Sequence, residues 1–287
     1  MNKNKKILIT GANSFIARNL IERLPKTYSL TSVARSDLDL LESEKVLSFI
    51  KNANFDVVIH TATYDAAPAH STKDTAKVLE NNLRMFFNLE RGKDYFGKLI
   101  FFGSGAEFSR EHWQPKMKES YFGQHIPADQ YGFSKYIMTK RALASKNIYN
   151  LRLFATFGKY EDPLVRVTSS VCQRAAEDKP IIINQDKKYD FLYIDDLVRI
   201  VRWFIDNIPK HRVYNVCSGQ TVSFKTIANK VIDVSGKKLD VIIKEPGLGL
   251  EYSGHNALLL KELKGFKFTP FNQAIKSLYE WYQNNEM

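Results

Sequence analysis

Short apolar runs alternate with segments whose apolar residues recur every three or four positions, and the alternation is regular through the first half of the chain. That rhythm predicts a parallel sheet covered by helices on both faces. Lys6 to Thr10 (KILIT) predicts the first strand, and Phe15 to Leu24 a helix with Phe15, Ile16, Leu20, Ile21 and Leu24 on one face. Leu30 to Ala34 predicts a second strand, Ser43 to Lys51 a helix capped by Ser43, and Asp56 to His60 (DVVIH) a third, buried strand. A helix over Val78 to Leu89, a strand over Lys98 to Phe102 (KLIFF), a long amphipathic helix over Gln130 to Ser145 and a strand over Tyr149 to Phe154 follow. The whole is a doubly wound α/β sheet, in which ligands bind beyond the carboxyl ends of the strands.

After Phe157 and Gly158 the rhythm changes. A helix is expected over Leu164 to Ala176, strands over Pro180 to Ile183 and Asp190 to Tyr193, and a helix from Asp195. A strand over Val213 to Val216, a helix over Phe224 to Ser235, a strand over Leu239 to Ile243 and a last helix over Phe271 to Tyr282 close the chain. With no internal repeat and no linker, the expectation is a domain over 1–157 and a smaller α/β domain over 158–287, parts of 184–220 returning to the first sheet.

Composition narrows the class. With 44% hydrophobic and 25% charged residues and few glycines or prolines, disorder and low-complexity readings are excluded. No apolar run approaches the roughly 18 residues of a membrane span, and the Lys-rich start is not followed by an apolar stretch, so a cytoplasmic protein is expected. Cys172 and Cys217 show no CxxC spacing and the six histidines no HExxH, so neither disulfide framework nor metal site is expected. The net charge of +11 admits nucleic acid or an anionic small molecule. Because the basic residues are dispersed over helical segments, a phosphorylated ligand is favoured over nucleic acid.

Gly11, Ser14 and Ala17 follow the first strand at spacings of three, where a helix N-terminus offers N–H groups to a pyrophosphate. At the end of the second strand, Arg35-Ser36-Asp37 offers a guanidinium and a hydroxyl suited to the 2′-phosphate of NADP rather than the free 2′-hydroxyl of NAD. Tyr131 and Lys135 share one helix face, where an ammonium would stabilise a phenolate and lower the phenol toward working pH. A phenol so tuned can exchange a proton with a substrate oxygen while hydride moves at carbon. Ser104, directly after KLIFFG, offers a hydroxyl to the same oxygen.

Together with ITGANSFIA, DVVIHTAT, Asn82, Asn88, LRLFATFG, DFLYIDDLV and VYNVCSGQTVS, these residues resemble the extended short-chain dehydrogenase/reductase family of nucleotide-sugar epimerases, dehydratases and reductases. The resemblance covers nearly the whole chain. It implies a Rossmann sheet with a smaller C-terminal substrate domain, and Ser104, Tyr131 and Lys135 as the catalytic residues. For the cofactor, NADP with NAD as the other possibility, it implies Gly11, Asn13, Ser14, Phe15, Ile16, Arg35, Ser36, Asp39, Leu40, Thr61, Ala62, Thr63 and Asn82 beside Tyr131 and Lys135. For the substrate, a nucleoside-diphosphate sugar, it implies Ser104, Gly105, Ala106, Ala155, Arg166, Arg174 and Tyr189, and for the assembly a homodimer.

Departures from the pattern refine the expectation. The dehydratases carry an Asp-Glu pair after the residue matching Ser104, where this chain has Gly105 and Ala106. Glu107 comes one place late, and in an extended segment its side chain would turn to the opposite side. The run ARSDLDLLES most resembles the GDP-fucose synthase and 4-keto-6-deoxysugar reductase branch, but the positions of that branch's epimerising Cys and His are Ala106 and Arg166. Ala155 stands for an expected asparagine and Tyr189 for an expected arginine, while Arg174 matches a diphosphate-binding arginine. His125 and Glu107 are the groups whose entry into the cleft from a loop would change the chemistry. The expectation is therefore an NADP-preferring reductase of a keto group, at C4, on a nucleotide-linked deoxy or heptose sugar of surface polysaccharide synthesis, without epimerase or dehydratase activity. The alternatives are a nucleotide-sugar 4-epimerase that retains NAD and a non-catalytic NADP-sensing or nucleic-acid-binding protein.

Overall fold

The computed structural model describes residues 4–65 and 71–285. In chain order the first half runs β1 (Lys6–Thr10), α1 (Phe15–Arg23), β2 (Ser29–Val33), α2 (Ser43–Ala53), β3 (Val57–His60), α3 (Val78–Glu90), β4 (Lys98–Ser104), α4 (Gln130–Leu143) and β5 (Ile148–Leu153). The second half runs β6 (Ala155–Phe157), α5 (Val167–Ala176), β7 (Ile181–Asp186), β8 (Lys188–Tyr193), α6 (Ile194–Asp206), β9 (Val213–Val216), β10 (Thr221–Ser223), α7 (Phe224–Ser235), β11 (Val241–Leu248), α8 (Ala257–Glu262) and α9 (Phe271–Asn284).

Six parallel strands form the main sheet in the order β2-β1-β3-β4-β5-β9. Side chains alternate along each strand, so Ile7 and Ile9 meet α1 and α6 through Leu20, Leu197, Val201 and Phe204. Leu8, Val58, Leu99 and Phe101 meet α2, α3 and α4 through Val46, Ile50, Phe86 and Met138. Burial on both faces explains why these strands read as unbroken apolar runs. Because β1 has β2 on one side and β3 on the other, the crossovers diverge there and leave a crevice at the carboxyl ends of β1 and β3.

Two small sheets, β10-β8-β6 and β11-β7, with α5, α7 and α9, enclose a separate apolar core around Cys172, Ile183, Phe191, Ile227 and Leu278. Two local expectations are corrected. Ser43 is the first helical residue of α2 rather than its cap, and its hydroxyl accepts from Arg91 Nη1 at 2.5 Å. α5 begins at Val167 instead of Leu164, because residues 162–166 close a turn in which the N–H groups of Val165 and Arg166 both donate to the Asp162 carbonyl. Among the described residues, no helix is long and apolar enough to cross a membrane.

Candidate active site

Ser104 ends β4 at the rim of the sheet, and residues 105–108 coil at once into a tight 3-10 turn. Its Oγ accepts from Ala106 N at 3.2 Å, while Glu107 Oε1 accepts from Ser104 N at 3.0 Å, a reciprocal cap that fixes the turn. The extended path expected for 105–107 is therefore wrong. Coiling turns Glu107 inward, where it is fully buried and accepts from Arg152 Nε (2.9 Å), Thr139 Oγ1 (2.8 Å) and Asn150 Nδ2 (3.1 Å). With those partners it cannot reach substrate. Ala106 is also fully buried, and Gly105 is covered by Tyr252 and Phe154, so neither lines an open cleft as expected. His125 stacks on His112 at 3.7 Å instead of entering the site.

Asp129 caps α4, accepting from Gly132 N at 2.8 Å, and thereby presents Tyr131 in the first turn toward Ser104. Lys135 Nζ lies 5.7 Å from the Tyr131 ring centre and donates to the Phe102 carbonyl at 3.0 Å. Burial pushes the Tyr131 phenol up to about 12, helped by Asp65 and opposed by Arg166, Arg110 and Ser104. Burial likewise pushes the Lys135 ammonium down to about 8. The expected lowering of the phenol by Lys135 is thus absent from this state, since desolvation outweighs a cation that is itself desolvated and turned to a carbonyl. Tyr131 keeps its proton at neutral pH and is poised to donate it.

The crevice is shaped for a dinucleotide. Gly11 adopts φ +69°, and a Cβ there would stand 2.8 Å from Ala62 Cα and 2.9 Å from Ala62 N, so only glycine keeps the space beside β3 open. Ser14 caps α1, and its Oγ lies 2.9 Å from Thr61 Oγ1, which donates to the Thr10 carbonyl at 2.6 Å. Asn13 is exposed beside this turn, with Phe15 and Ile16 in the first turn of α1 against the core. At the end of β2 the Arg35 side chain is 74% exposed, paired with Asp39 at 3.1 Å and next to the exposed Ser36. Two residues expected at the cofactor have their side chains engaged in the fold instead. Leu40 is a core residue whose carbonyl takes Asn88 Nδ2 at 2.8 Å. Asn82 is buried and spends its amide on Tyr64 N, Tyr64 O, Val78 O and the Thr63 hydroxyl, which shapes the loop after β3 and leaves nothing for a ligand.

On the opposite wall a cavity of about 440 Å³ is lined by Arg166, Lys187, Tyr189, Phe224, Asn184 and Glu245, among others. It adjoins the catalytic residues through a chain of aromatics. Tyr189 meets Tyr252 at 5.2 Å between ring centres, and the Tyr252 hydroxyl lies 3.4 Å from Ser104 Oγ. Ala155 sits half-buried in β6, paired with Phe191. Arg174 does not belong to this wall: eight residues beyond Arg166 along α5, roughly 12 Å, its Nε donates to the Pro180 carbonyl at 2.5 Å. Sequence reasoning missed Arg110, Trp113 and Tyr252. Arg110 pairs with the capping Asp129 at 3.3 Å, and its charge acts on Tyr131, Tyr189 and Tyr252. Nothing in their local sequence marks them, because only the fold brings them to Ser104. Among the described residues, no group of three or more His, Cys, Asp or Glu side chains is placed to hold a metal ion.

A proton-bearing phenol set beside a crevice that only a side-chain-free turn keeps open is equipment for moving hydride and proton together, and the chain is an NAD(P)-dependent oxidoreductase-type enzyme. It belongs to the NAD dependent epimerase/dehydratase family, which matches residues 7–217. Among its relatives is an ADP-L-glycero-D-manno-heptose-6-epimerase of Cupriavidus pinatubonensis, 24% identical over 98% of this chain and 90% of the relative. The fold is shared with a GDP-mannoheptose C4 reductase from Campylobacter jejuni with NADP bound, at TM-score 0.84, 22% identity and 99% of each chain. It is likewise shared with a GDP-6-OMe-4-keto-L-xylo-heptose reductase from C. jejuni, at TM-score 0.85, 20% identity and 99% of each chain.

Proposed function

We propose that the chain is an NADPH-dependent reductase of a keto group, at C4, on a nucleoside-diphosphate deoxy or heptose sugar, without epimerase or dehydratase activity. The observation that carries this reading is the pairing of a protonated Tyr131 with a Glu107 withdrawn into the core. Reduction needs a proton for oxygen, which the phenol has; removing water or an α proton needs a base beside Ser104, which Glu107 is not free to be. Arg166 and Lys187 give the adjoining cavity the charge a diphosphate requires. The substrates named for the C. jejuni reductases fit the same reading.

A bound dinucleotide supplies the hydride. Tyr131 gives its proton to the carbonyl oxygen as negative charge develops there, so that C=O becomes CH–OH. Ser104 Oγ–H holds the same oxygen. The Lys135 ammonium, 5.7 Å from the Tyr131 ring, balances the phenolate that remains. Arg35 and Ser36 would grip a 2′-phosphate, so Arg35→Ala is expected to weaken NADPH roughly tenfold or more while leaving NADH nearly unchanged. Fluorescence titration of both cofactors checks this, and equal losses would remove Arg35 from cofactor choice.

One observation favours epimerisation beside the carbonyl, by removal of an α proton, as the second reading: the Asp65 carboxylate is near enough to raise both Tyr131 and Lys135. The two are separated by running the protein with NADPH and GDP-, UDP-, dTDP- and CDP-linked 4-ketosugars in deuterium oxide. The expected product has gained hydride at C4 and carries no enzyme-dependent deuterium at C3 or C5. Deuterium at either carbon would reveal a working base and sink the reductase-only reading.

A further inference from the structure

Ser104 has one proton and two lone pairs to distribute. The Ala106 N–H takes one lone pair at 3.2 Å. The Tyr252 hydroxyl, from 148 residues further along the chain, lies 3.4 Å from the same oxygen. Tyr252 is only 6% exposed and held from every side. Its N–H donates to the Lys188 carbonyl and its carbonyl accepts from Asp190 N, both at 3.0 Å. The next residue, Ser253, accepts from Lys116 N at 2.7 Å through its hydroxyl and from Met117 N at 3.1 Å through its carbonyl. The Tyr252 ring stacks on Trp113 at 4.1 Å and 26°, and Trp113 Nε1 in turn donates to the Gly105 carbonyl at 3.0 Å. Residue 105 has to be glycine for this arrangement, since a Cβ there would stand 2.5 Å from Tyr252 Cε2 and 2.7 Å from its Oη.

We propose that Tyr252 is a positioning residue for Ser104: by donating its O–H to Ser104 Oγ it fills the second acceptor site of that oxygen and commits the serine proton to the substrate carbonyl. This inference rests on the carbonyl-reduction reading. With both lone pairs occupied, the serine hydroxyl can only donate, to the Tyr131 oxygen in the free protein and to the carbonyl oxygen when substrate stands between them. A competing acceptor exists, because the Leu153 carbonyl also lies 3.4 Å from Tyr252 Oη. Charge developing on the substrate oxygen decides between them, since a serine O–H given to a forming oxyanion is stronger than one given to a neutral phenol. Burial raises the Tyr252 phenol far above its ordinary range and keeps it protonated, so it remains a donor throughout the working pH range.

The test uses Tyr252→Phe, which keeps the ring on Trp113. Crystal structures of the free wild-type and variant proteins are expected to show one Ser104 side-chain orientation in the former and several in the latter. A single shared orientation, or a wild type without the Ser104 to Tyr252 contact, overturns the proposal. With the 4-ketosugar panel, Tyr252→Phe is expected to lower kcat about tenfold, with KM for NADPH and the melting temperature unchanged. Added to Ser104→Ala, it is expected to cause no further loss. Losses that multiply would show that Tyr252 acts independently of Ser104 and overturn the proposal too. If the wild type reduces none of the ketosugars, the reduction reading fails, and the Ser104 orientations still decide the role of Tyr252.

Discussion

Tyr131→Phe is expected to fold, to bind cofactor as the wild type does and to lose a factor of about 100 or more in turnover. The substitution removes one oxygen from a half-buried side chain and leaves the ring over Lys135, so packing is preserved. What disappears is the proton that must reach the carbonyl oxygen. Single-turnover oxidation of NADPH, followed by absorbance, separates this chemical step from binding. A wild-type rate would remove Tyr131 from the mechanism. The pH dependence of the wild type provides an internal check. The phenol, held near 12, stays protonated across the working range, whereas Lys135 gives up its proton near 8. Hence kcat/KM for NADPH, which reports the free enzyme, is expected to be level through neutrality and to fall as pH rises through about 8.

Glu107→Leu is expected to be the most destabilising single change near the site. It would strip acceptors from Arg152, Thr139, Asn150 and the Ser104 N–H at once. Breaking a buried ion pair by removing one partner costs about 3–5 kcal/mol. That is a large part of the roughly 5–15 kcal/mol by which domains are stable. The Arg152 guanidinium, fully buried between the rings of Phe108 and Phe122 and bonded to Asn215 at 3.0 Å, would have no carboxylate left. Arg152→Met in the same chain is expected to restore much of the loss, because it removes the stranded charge. Urea titrations measure both. A Glu107→Leu unfolding free energy within about 1 kcal/mol of wild type would show that the pair carries little stability.

Legibility in the sequence followed the range of the interactions. β1, β9 and α7 occupy the residues their apolar patterns predict, because strong local signals bound them on both sides. β6 and β10 are three residues each, too short for any period to show. Ser104, Tyr131 and Lys135 come together because a strand end and a helix spacing are local features. Asn82 shows the converse: an amide in a motif reads as a ligand until its hydrogen bonds are counted, and all are spent on the loop it closes and on the first turn of its own helix. Arg174 stands apart from the cavity for a related reason, since the sequence marks its helix but not which end faces the cleft. Tyr252 and the Glu107 to Arg152 pair depend on contacts across tens of residues, and composition carries no trace of them.

The place of β9 has a consequence for how the chain comes off the ribosome. Asn150 pairs with Val213 and Leu153 with Val216, so β5 waits some sixty residues for its outer neighbour. Until then its N–H and C=O groups form an open edge, the feature that recruits foreign strands and seeds aggregation. The face of the sheet that α6 will cover is also bare in that interval, with Ile9, Ile100 and Leu151 lacking Leu197, Val201 and Phe204. Synthesis at about 5–20 residues per second makes the exposure last for seconds. A chain truncated after Phe157 would never leave that state. The yield of folded protein is therefore expected to respond to the speed of translation through residues 158–216, and not to the stability of the finished sheet alone.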